Sequence, residues 1–273
     1  MSATAPRYHR VFVSPHPDDA VFSAGGLIAL SARAGMRVAV VTVFSGGPDE
    51  EVRAREDRAA IAGLGAERVD LGLPDVVARR PGARRPPSLL AVDRALIAEV
   101  TSRLAGLGDE VVGPLGVANH ADHQAVFAAC AALPGRVAFY EDVPYALAPG
   151  ESARRLADLR AGAVLPRSLG ERLALSRWWL AQPALRAVAP LPLLPLAAWQ
   201  AASAVPPSLV GPLPLSEERH DVGAAMSDKL AAIAAYESQW PMFFATLDGF
   251  AGALSAHADR LGGAPFVERL FVR

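Results

Sequence analysis

Two short clusters of histidine and aspartate are the residues of this sequence best suited to catalysis. The first cluster reads Ser14-Pro15-His16-Pro17-Asp18-Asp19, and the second reads Asn119-His120-Ala121-Asp122-His123. Imidazole and carboxylate groups are common protein ligands of Zn²⁺, and a catalytic zinc site uses three such ligands and keeps one position open. Burying so many polar groups without a purpose is costly. The two clusters together therefore indicate a catalytic metal site.

Each cluster also has a simpler interpretation, as the polar start of a helix. Pro17 followed by an aspartate is a common way to begin a helix, because the carboxylate accepts hydrogen bonds from exposed backbone N–H groups. That interpretation explains one aspartate of the first cluster, but neither His16 nor the second carboxylate. For the second cluster taken alone, a solvated helix start explains the residues as well as a metal site does.

Both clusters follow predicted strands, in a region where short β-rich runs alternate with longer helical runs. The predicted strands are Arg10–Ser14, Arg37–Phe44, Arg68–Leu71, Glu110–Gly113 and Arg136–Glu141. The predicted helices are Ala20–Ala34, Glu50–Leu64, Leu89–Ala105 and Asp122–Leu133. This alternation predicts an α/β, Rossmann-like fold with a mostly parallel sheet and helices on both faces. In such sheets ligands bind at the carboxyl ends of the strands, which is where both clusters fall.

The regular alternation of predicted strands and helices ends in the second half of the chain. Helices are predicted at Ser152–Ala163 and Ser227–Gln239, and a late edge strand at Glu268–Val272. Residues 150–215 are rich in Leu, Pro and Trp and show no regular period. We predict a single domain over residues 1–273, with a cap or specificity insertion at about 150–215. A helical subdomain that shields the sheet or forms a dimer contact is the alternative for that segment.

Composition excludes several classes of protein. With 52% hydrophobic and 20% charged residues among 273, the chain is globular rather than disordered. A net charge of −1 predicts no binding to nucleic acid or to anionic lipid. Prolines interrupt the most apolar region, Leu180 to Leu215, and no signal segment is recognised, so we expect no transmembrane span and a cytoplasmic location. No Gly-x-Gly-x-x-Gly follows the first strand, which argues against a nucleotide-binding enzyme.

The two clusters resemble the hallmarks of a known family. The His-Pro-Asp-Asp and His-x-Asp-His stretches are similar to those of the zinc-dependent N-deacetylases. These include the N-acetylglucosaminyl-phosphatidylinositol, mycothiol-pathway and bacillithiol-pathway deacetylases and the lincomycin-type proteins. Four further segments look familiar: Arg53-x-x-Glu56, Leu71–Asp75, Tyr140–Pro144 and Lys229–Gln239. The resemblance covers roughly residues 8–145 and 220–272.

The resemblance implies a role for each residue of the clusters. The implied ligands of one Zn²⁺ ion, or of another divalent transition metal, are His16, Asp19 and His123. Asp18 would be the general base, His120 would stabilise the oxyanion, and Asp122 would orient His120. Arg53 is either a sugar contact, a link to the carboxylates, or a solvated helix residue. Ala20, the turn Phe44–Pro48 and Ala118 depart from the family pattern, which predicts altered specificity or rate.

The implied function is removal of an N-acyl group, foremost N-acetyl, from an amino-sugar-containing small molecule or glycoconjugate. One alternative is an amidase that acts on a larger N-acyl or thiol-conjugate amide through the same metal site. Another is a non-catalytic binding relative with the same fold. The particular substrate and the oligomeric state stay open.

Overall fold

The structure is a computed structural model that describes residues 7–47, 49–80, 92–117, 120–182 and 209–273. The strands are β1 Tyr8–Ser14, β2 Val38–Gly46, β3 Glu67–Pro74, β4 Gly108–Pro114, β5 Arg136–Tyr140, β6 Ser216–Asp221 and β7 Val267–Val272. The helices are α1 Asp19–Arg33, α2 Glu50–Gly63, α3 Val76–Arg79, α4 Arg94–Leu104, α5 Ala121–Ala131, α6 Glu151–Ala161, α7 Leu169–Leu180, α8 Met226–Ala234 and α9 Leu247–Leu261.

The seven strands form one mixed sheet in the order β3-β2-β1-β4-β5-β7-β6. The first five strands run parallel to one another, β7 runs antiparallel to β5, and β6 runs antiparallel to β7. The predicted α/β fold with a mostly parallel sheet is therefore confirmed. Strands β1 and β4 are direct neighbours, with Phe12 opposite Val112. This register brings the two clusters together at the carboxyl ends of the strands, at the point where the strand order reverses.

Apolar side chains cover both faces of the sheet, which is why the central strands read as continuous Val-rich runs. One core layer packs α1, α2, α8 and α9 against the sheet, with Ile61 and Phe250 among its buried residues. The opposite layer contains α4 and α5, with Val100 and Phe127 at its centre. Within the described ranges no helix combines the length and the apolar character that crossing a bilayer requires.

The end of the chain differs from the prediction. The late strand exists as β7, but it lies between β5 and β6 rather than at the edge of the sheet. The edge strand is β6, whose sequence SEERHD is almost wholly exposed and does not alternate between apolar and polar residues. Charged residues on an edge strand prevent pairing with another chain, which explains its composition. The predicted helix Ser227–Gln239 ends earlier, at Ala234.

Candidate metal centre

The two clusters converge in a buried site at the carboxyl ends of β1 and β4. The first cluster leads from β1 into α1, and the second leads into α5. The ring centroid of His16 lies 5.1 Å from that of His120 and 5.4 Å from that of His123. Asp18 and Asp19 are each 8% exposed. The structure thus brings together side chains that lie about a hundred positions apart in the sequence.

Three side-chain atoms are arranged so that they can hold one metal ion. The Oδ2 atom of Asp19 lies 3.1 Å from Nδ1 of His16 and 3.3 Å from Nε2 of His123. One ligand atom from each of these residues lies within 4.8 Å of the other two. They are the same three residues that the resemblance implies as zinc ligands.

The Nε2 atom of His123 is a direct indication that a group is to be bound. The side chain is 1% exposed, and Nε2 makes no hydrogen bond with the part of the chain that the structure describes. Buried polar atoms that make no hydrogen bond are rare because they lose their hydration without compensation. A metal ion between His123 and Asp19 would satisfy this nitrogen, so the residues present fit the ion.

The other ring nitrogens of the two histidines contact buried carboxylates. Nε2 of His16 lies 2.9 Å from Oδ2 of Asp122, and Nδ1 of His123 lies 2.6 Å from Oδ1 of Asp142. A carboxylate behind a ligating histidine fixes its tautomer and its ring orientation. This pattern leaves Nδ1 of His16 and Nε2 of His123 as the ring nitrogens that face Asp19.

The carboxylate of Asp122 forms no hydrogen bond with His120, the residue that the resemblance implies for it. Its carboxylate contacts His16, accepts a hydrogen bond from the backbone N–H of Val76 at 2.9 Å, and pairs with Arg79. Its contact with His120 is made by the backbone, since the N–H of Asp122 donates to Nδ1 of His120 at 3.3 Å. The carboxylate therefore lies against His16 rather than His120, because the first turn of α5 directs it toward α3.

The environment of His120 keeps its imidazole neutral and able to donate a hydrogen bond. It is the N-cap residue of α5, and its Nδ1 accepts the backbone N–H of Asp122. Burial, followed by the charges of His16 and His123, lowers the pKa of His120 to about 3. A neutral imidazole whose Nδ1 accepts carries its proton on Nε2, so that atom can donate to a developing negative charge.

The pKa values of the adjacent residues Asp18 and Asp19 are shifted in opposite directions. Burial and then the charge of Asp19 raise the pKa of Asp18. Burial also acts to raise the pKa of Asp19, but His123 and His16 outweigh it and hold that pKa well below its usual range. Two carboxyl groups whose environments separate their pKa values are suited to different roles.

Asp18 is not the helix cap that the simpler interpretation requires. Its φ of +105° lies in a region that non-glycine residues seldom adopt, and its side chain caps no backbone N–H of α1. Backbone of this kind persists where the surrounding structure enforces it, and it is concentrated at functional sites. Its carboxylate faces Arg53, whose guanidinium lies 3.9 Å from Oδ2 of Asp18 and donates to the carbonyl of Pro17.

Asp142 and Arg79 are site residues to which the sequence analysis assigns no role. Asp142 follows β5, the strand next to β4, and its carboxylate also accepts the N–H groups of Gly116 and Val117. Arg79 pairs with Asp122 from α3. The position of Asp142 at a third neighbouring strand end is the signal that could have identified it, whereas Arg79 has no comparable signal.

We expect Asp142→Asn to weaken metal binding about 10–100-fold, the usual loss when a residue behind a ligating histidine is changed. The amide no longer supplies the charge that holds His123 with Nε2 toward the ion. Zinc affinity measured by competition with a chelator checks this. Asp158→Asn is the matched control. Asp158, on α6, is also buried, but its carboxylate accepts the backbone N–H of Leu165 and not a histidine. Equal affinities in the two variants would contradict the role of Asp142.

Aromatic rings from three separate segments extend from His123. Tyr145 packs edge-on against His123 at a centroid distance of 5.7 Å, and it also contacts Trp179 of α7 and Phe243. Trp178 lies against the core. Other parts of the predicted cap, including Trp199, and the departure at Ala118 lie outside the described residues.

Comparison with known families gives one match. The family model of PIG-L, described as GlcNAc-PI de-N-acetylase, matches residues 11–133, a range that contains both clusters. A search of the curated proteins found no sequence match.

Solved structures share the fold over nearly the whole chain. A deacetylase of the teicoplanin biosynthesis pathway has a TM-score of 0.65 at 21% identity, covering 97% of both chains. The deacetylase of the A40926 pseudoaglycone has a TM-score of 0.62 at 20% identity, covering 98% of both. The N,N'-diacetylchitobiose deacetylase of Pyrococcus horikoshii has a TM-score of 0.53 at 16% identity, covering 97% of this chain and 84% of that one. At these identities the likeness shows the fold.

Proposed function

We propose, from the premise that residues 11–133 form a PIG-L family domain, that this chain is a metal-dependent N-deacetylase. Its substrate is an amino-sugar-containing small molecule or glycoconjugate, and the group removed is an N-acyl group, foremost N-acetyl. One observation carries the proposal. Three atoms that could bind one ion, one of them buried and without a hydrogen bond to the described residues, lie together next in sequence to Asp18, whose carboxylate is not among them.

The residues that would hold the ion are His16, Asp19 and His123. Two imidazoles and one carboxylate suit Zn²⁺, and another divalent transition metal is the alternative. When bound, the ion supplies a water molecule of lowered pKa and polarises the carbonyl of the substrate amide. Asp122 and Asp142 orient the two histidines from behind.

The remaining side chains divide the proton transfers and the charge stabilisation. Asp18 takes the proton of the attacking water and delivers it to the amine that leaves. Nε2 of His120 donates to the oxygen that becomes negative as the amide carbon turns tetrahedral. Arg53 keeps Asp18 oriented, and the 20% of its side chain that is exposed is the part available to a sugar hydroxyl.

A panel of N-acetylated sugars and glycoconjugates tests the proposal. Purified, zinc-loaded protein is incubated with each compound, and mass spectrometry records the loss of one acetyl group. Metal analysis of the same preparation is made in parallel. Stoichiometric zinc with deacetylation of at least one amino sugar supports the proposal. A chain that binds no metal would be a non-catalytic relative of the fold.

The aromatic residues beside His123 favour the second candidate, an amidase that accepts a larger N-acyl group. Tyr145, Trp179 and Phe243 present apolar surface next to a metal ligand. Trp179 lies in the described part of residues 150–215, so we propose that α7 is part of a cap that contributes to the substrate site. Comparing N-acetyl with longer N-acyl substrates in the panel distinguishes the two candidates.

We expect Trp179→Ala to raise KM about tenfold for substrates with an apolar acyl or aglycone group, because it removes contact area worth about 1.4 kcal/mol. Small N-acetyl sugars that do not reach the ring should be nearly unaffected. Leu169→Ala is the control on the same helix, since Leu169 is 66% exposed. If KM rises equally for every substrate in Trp179→Ala, the ring stabilises the fold rather than contacting the substrate.

A further inference from the structure

The helix that carries Asp19 is broken inside its span. Ala24 of α1 has φ −126° and ψ 19°, which are not helical values. The break leaves a short first half, residues 19–23, that begins with the metal ligand Asp19. A break in a helix frees backbone groups that the regular hydrogen-bond pattern would satisfy.

A buried ion pair from the far end of the sequence satisfies these groups. In an unbroken helix the N–H groups of Gly26 and Leu27 would donate to carbonyls four residues earlier. Here they donate to the two carboxylate oxygens of Glu268, at 2.9 and 2.8 Å. The ammonium group of Lys229 donates to the carbonyl of Ser23 at 3.3 Å and to Glu268 at 2.7 Å. The pair thus contacts both sides of the break.

The fit around the pair is tight. Lys229, the sole lysine of the chain, is 1% exposed, and Glu268 on β7 is 6% exposed. A Cβ atom on Gly26 would lie 3.0 Å from Oε1 of Glu268, and one on Gly25 would lie 3.1 Å from Cγ of Lys229. The two glycines therefore allow the ion pair to approach the helix backbone.

The short half of α1 is connected to both halves of the metal site. Asp19, at its start, faces His16 and His123. Ser23, at its end, accepts the backbone N–H of Val143 at 3.0 Å through its hydroxyl. Val143 follows Asp142, the carboxylate that holds His123. A shift of this short half would therefore change the distance between Asp19 and His123.

We propose that Glu268 and Lys229 are positioning residues for the metal centre, because their ion pair fixes the break in α1 and with it the place of Asp19 relative to His123. The inference rests on the proposed function, since it requires that Asp19 binds a metal ion. Neither residue touches the site; both act through the backbone of α1.

The test is zinc affinity in Glu268→Gln, measured by competition with a chromophoric chelator on the full chain. Glutamine keeps the size of the side chain but presents an NH₂ group to one of the two N–H donors. We expect zinc to bind about tenfold more weakly, within the range found when residues behind metal ligands are changed. Thermal unfolding is recorded on the same samples, so that affinity and stability are compared.

The matched control is Glu110→Gln. Glu110 pairs with Arg10 at 2.6 Å near the amino ends of β1 and β4. Arg10 also donates to Ser31 near the end of α1, but neither residue contacts the short half of α1 that carries Asp19. A merely structural role for Glu268 would lower the melting temperature and leave the zinc affinity at the level of this control. That outcome overturns the inference. A selective loss of affinity in Glu268→Gln supports it.

A second variant keeps the test decisive if Glu268→Gln does not fold. Breaking one partner of a buried pair leaves an uncompensated charge, whereas removing both charges avoids that cost. The double variant Lys229→Met with Glu268→Gln leaves no buried charge unpaired, and its amide oxygen still accepts one N–H group of α1. It should fold and still bind zinc more weakly than Glu110→Gln. Wild-type affinity in the double variant overturns the inference. Absence of zinc from the wild-type chain instead contradicts the proposed function itself.

Discussion

Asp18→Asn is expected to retain stoichiometric zinc while turnover falls by about 10²–10⁴, the usual contribution of a positioned general base. His16→Ala and Asp19→Ala are expected to lose zinc and activity together. Asp18 and Asp19 are adjacent in the sequence, but only Asp19 has its carboxylate between the two ligand histidines. Asp18 lies beside Arg53, and the φ of Asp18, +105°, is not helical.

The choice of asparagine makes this comparison specific. It keeps the size and polarity of the side chain at position 18 but cannot take a proton from water. Zinc content is measured beside the rate of deacetylation for all three variants. Loss of zinc in Asp18→Asn with retention in Asp19→Ala would show that the two roles are reversed. If both variants keep the metal and full activity, the hydrolase proposal is wrong.

His120→Ala is expected to lose about 10²–10³ in kcat and to keep its zinc, because the imidazole acts on the oxyanion and not on the metal. The structure supports this separation. Nδ1 of His120 is occupied by the N–H of Asp122, which leaves Nε2 as the donor toward the substrate. Substrate affinity should change little, since the negative charge on oxygen develops only in the transition state.

Zinc content and steady-state kinetics of His120→Ala are compared with those of His120→Gln, whose amide can still donate a hydrogen bond. Partial recovery of kcat in His120→Gln would support the donor role. A loss of zinc in His120→Ala comparable to that in His16→Ala would place His120 among the ligands instead. An unchanged kcat would remove His120 from the mechanism.

The sequence by itself determined the fold class and the meeting of the two clusters. Val-rich runs separated by amphipathic helices can bury their apolar surface only as a parallel sheet covered on both faces. The clusters follow β1 and β4 directly, so their convergence required only that these strands be neighbours. Side chains placed by the local chain, such as His16 and Asp19, are therefore predictable from spacing.

Only the tertiary structure decided which groups stand behind the ligands and what fixes α1. Asp122 is close to His120 in sequence, yet its carboxylate contacts His16 and Arg79. The break at Ala24 is stabilised by Glu268, 242 positions away from the N–H of Gly26. The edge position of β6 likewise has no apolar pattern to mark it. These partners depend on the packing of distant elements, and hydrogen bonds between distant residues leave no periodic pattern in the sequence.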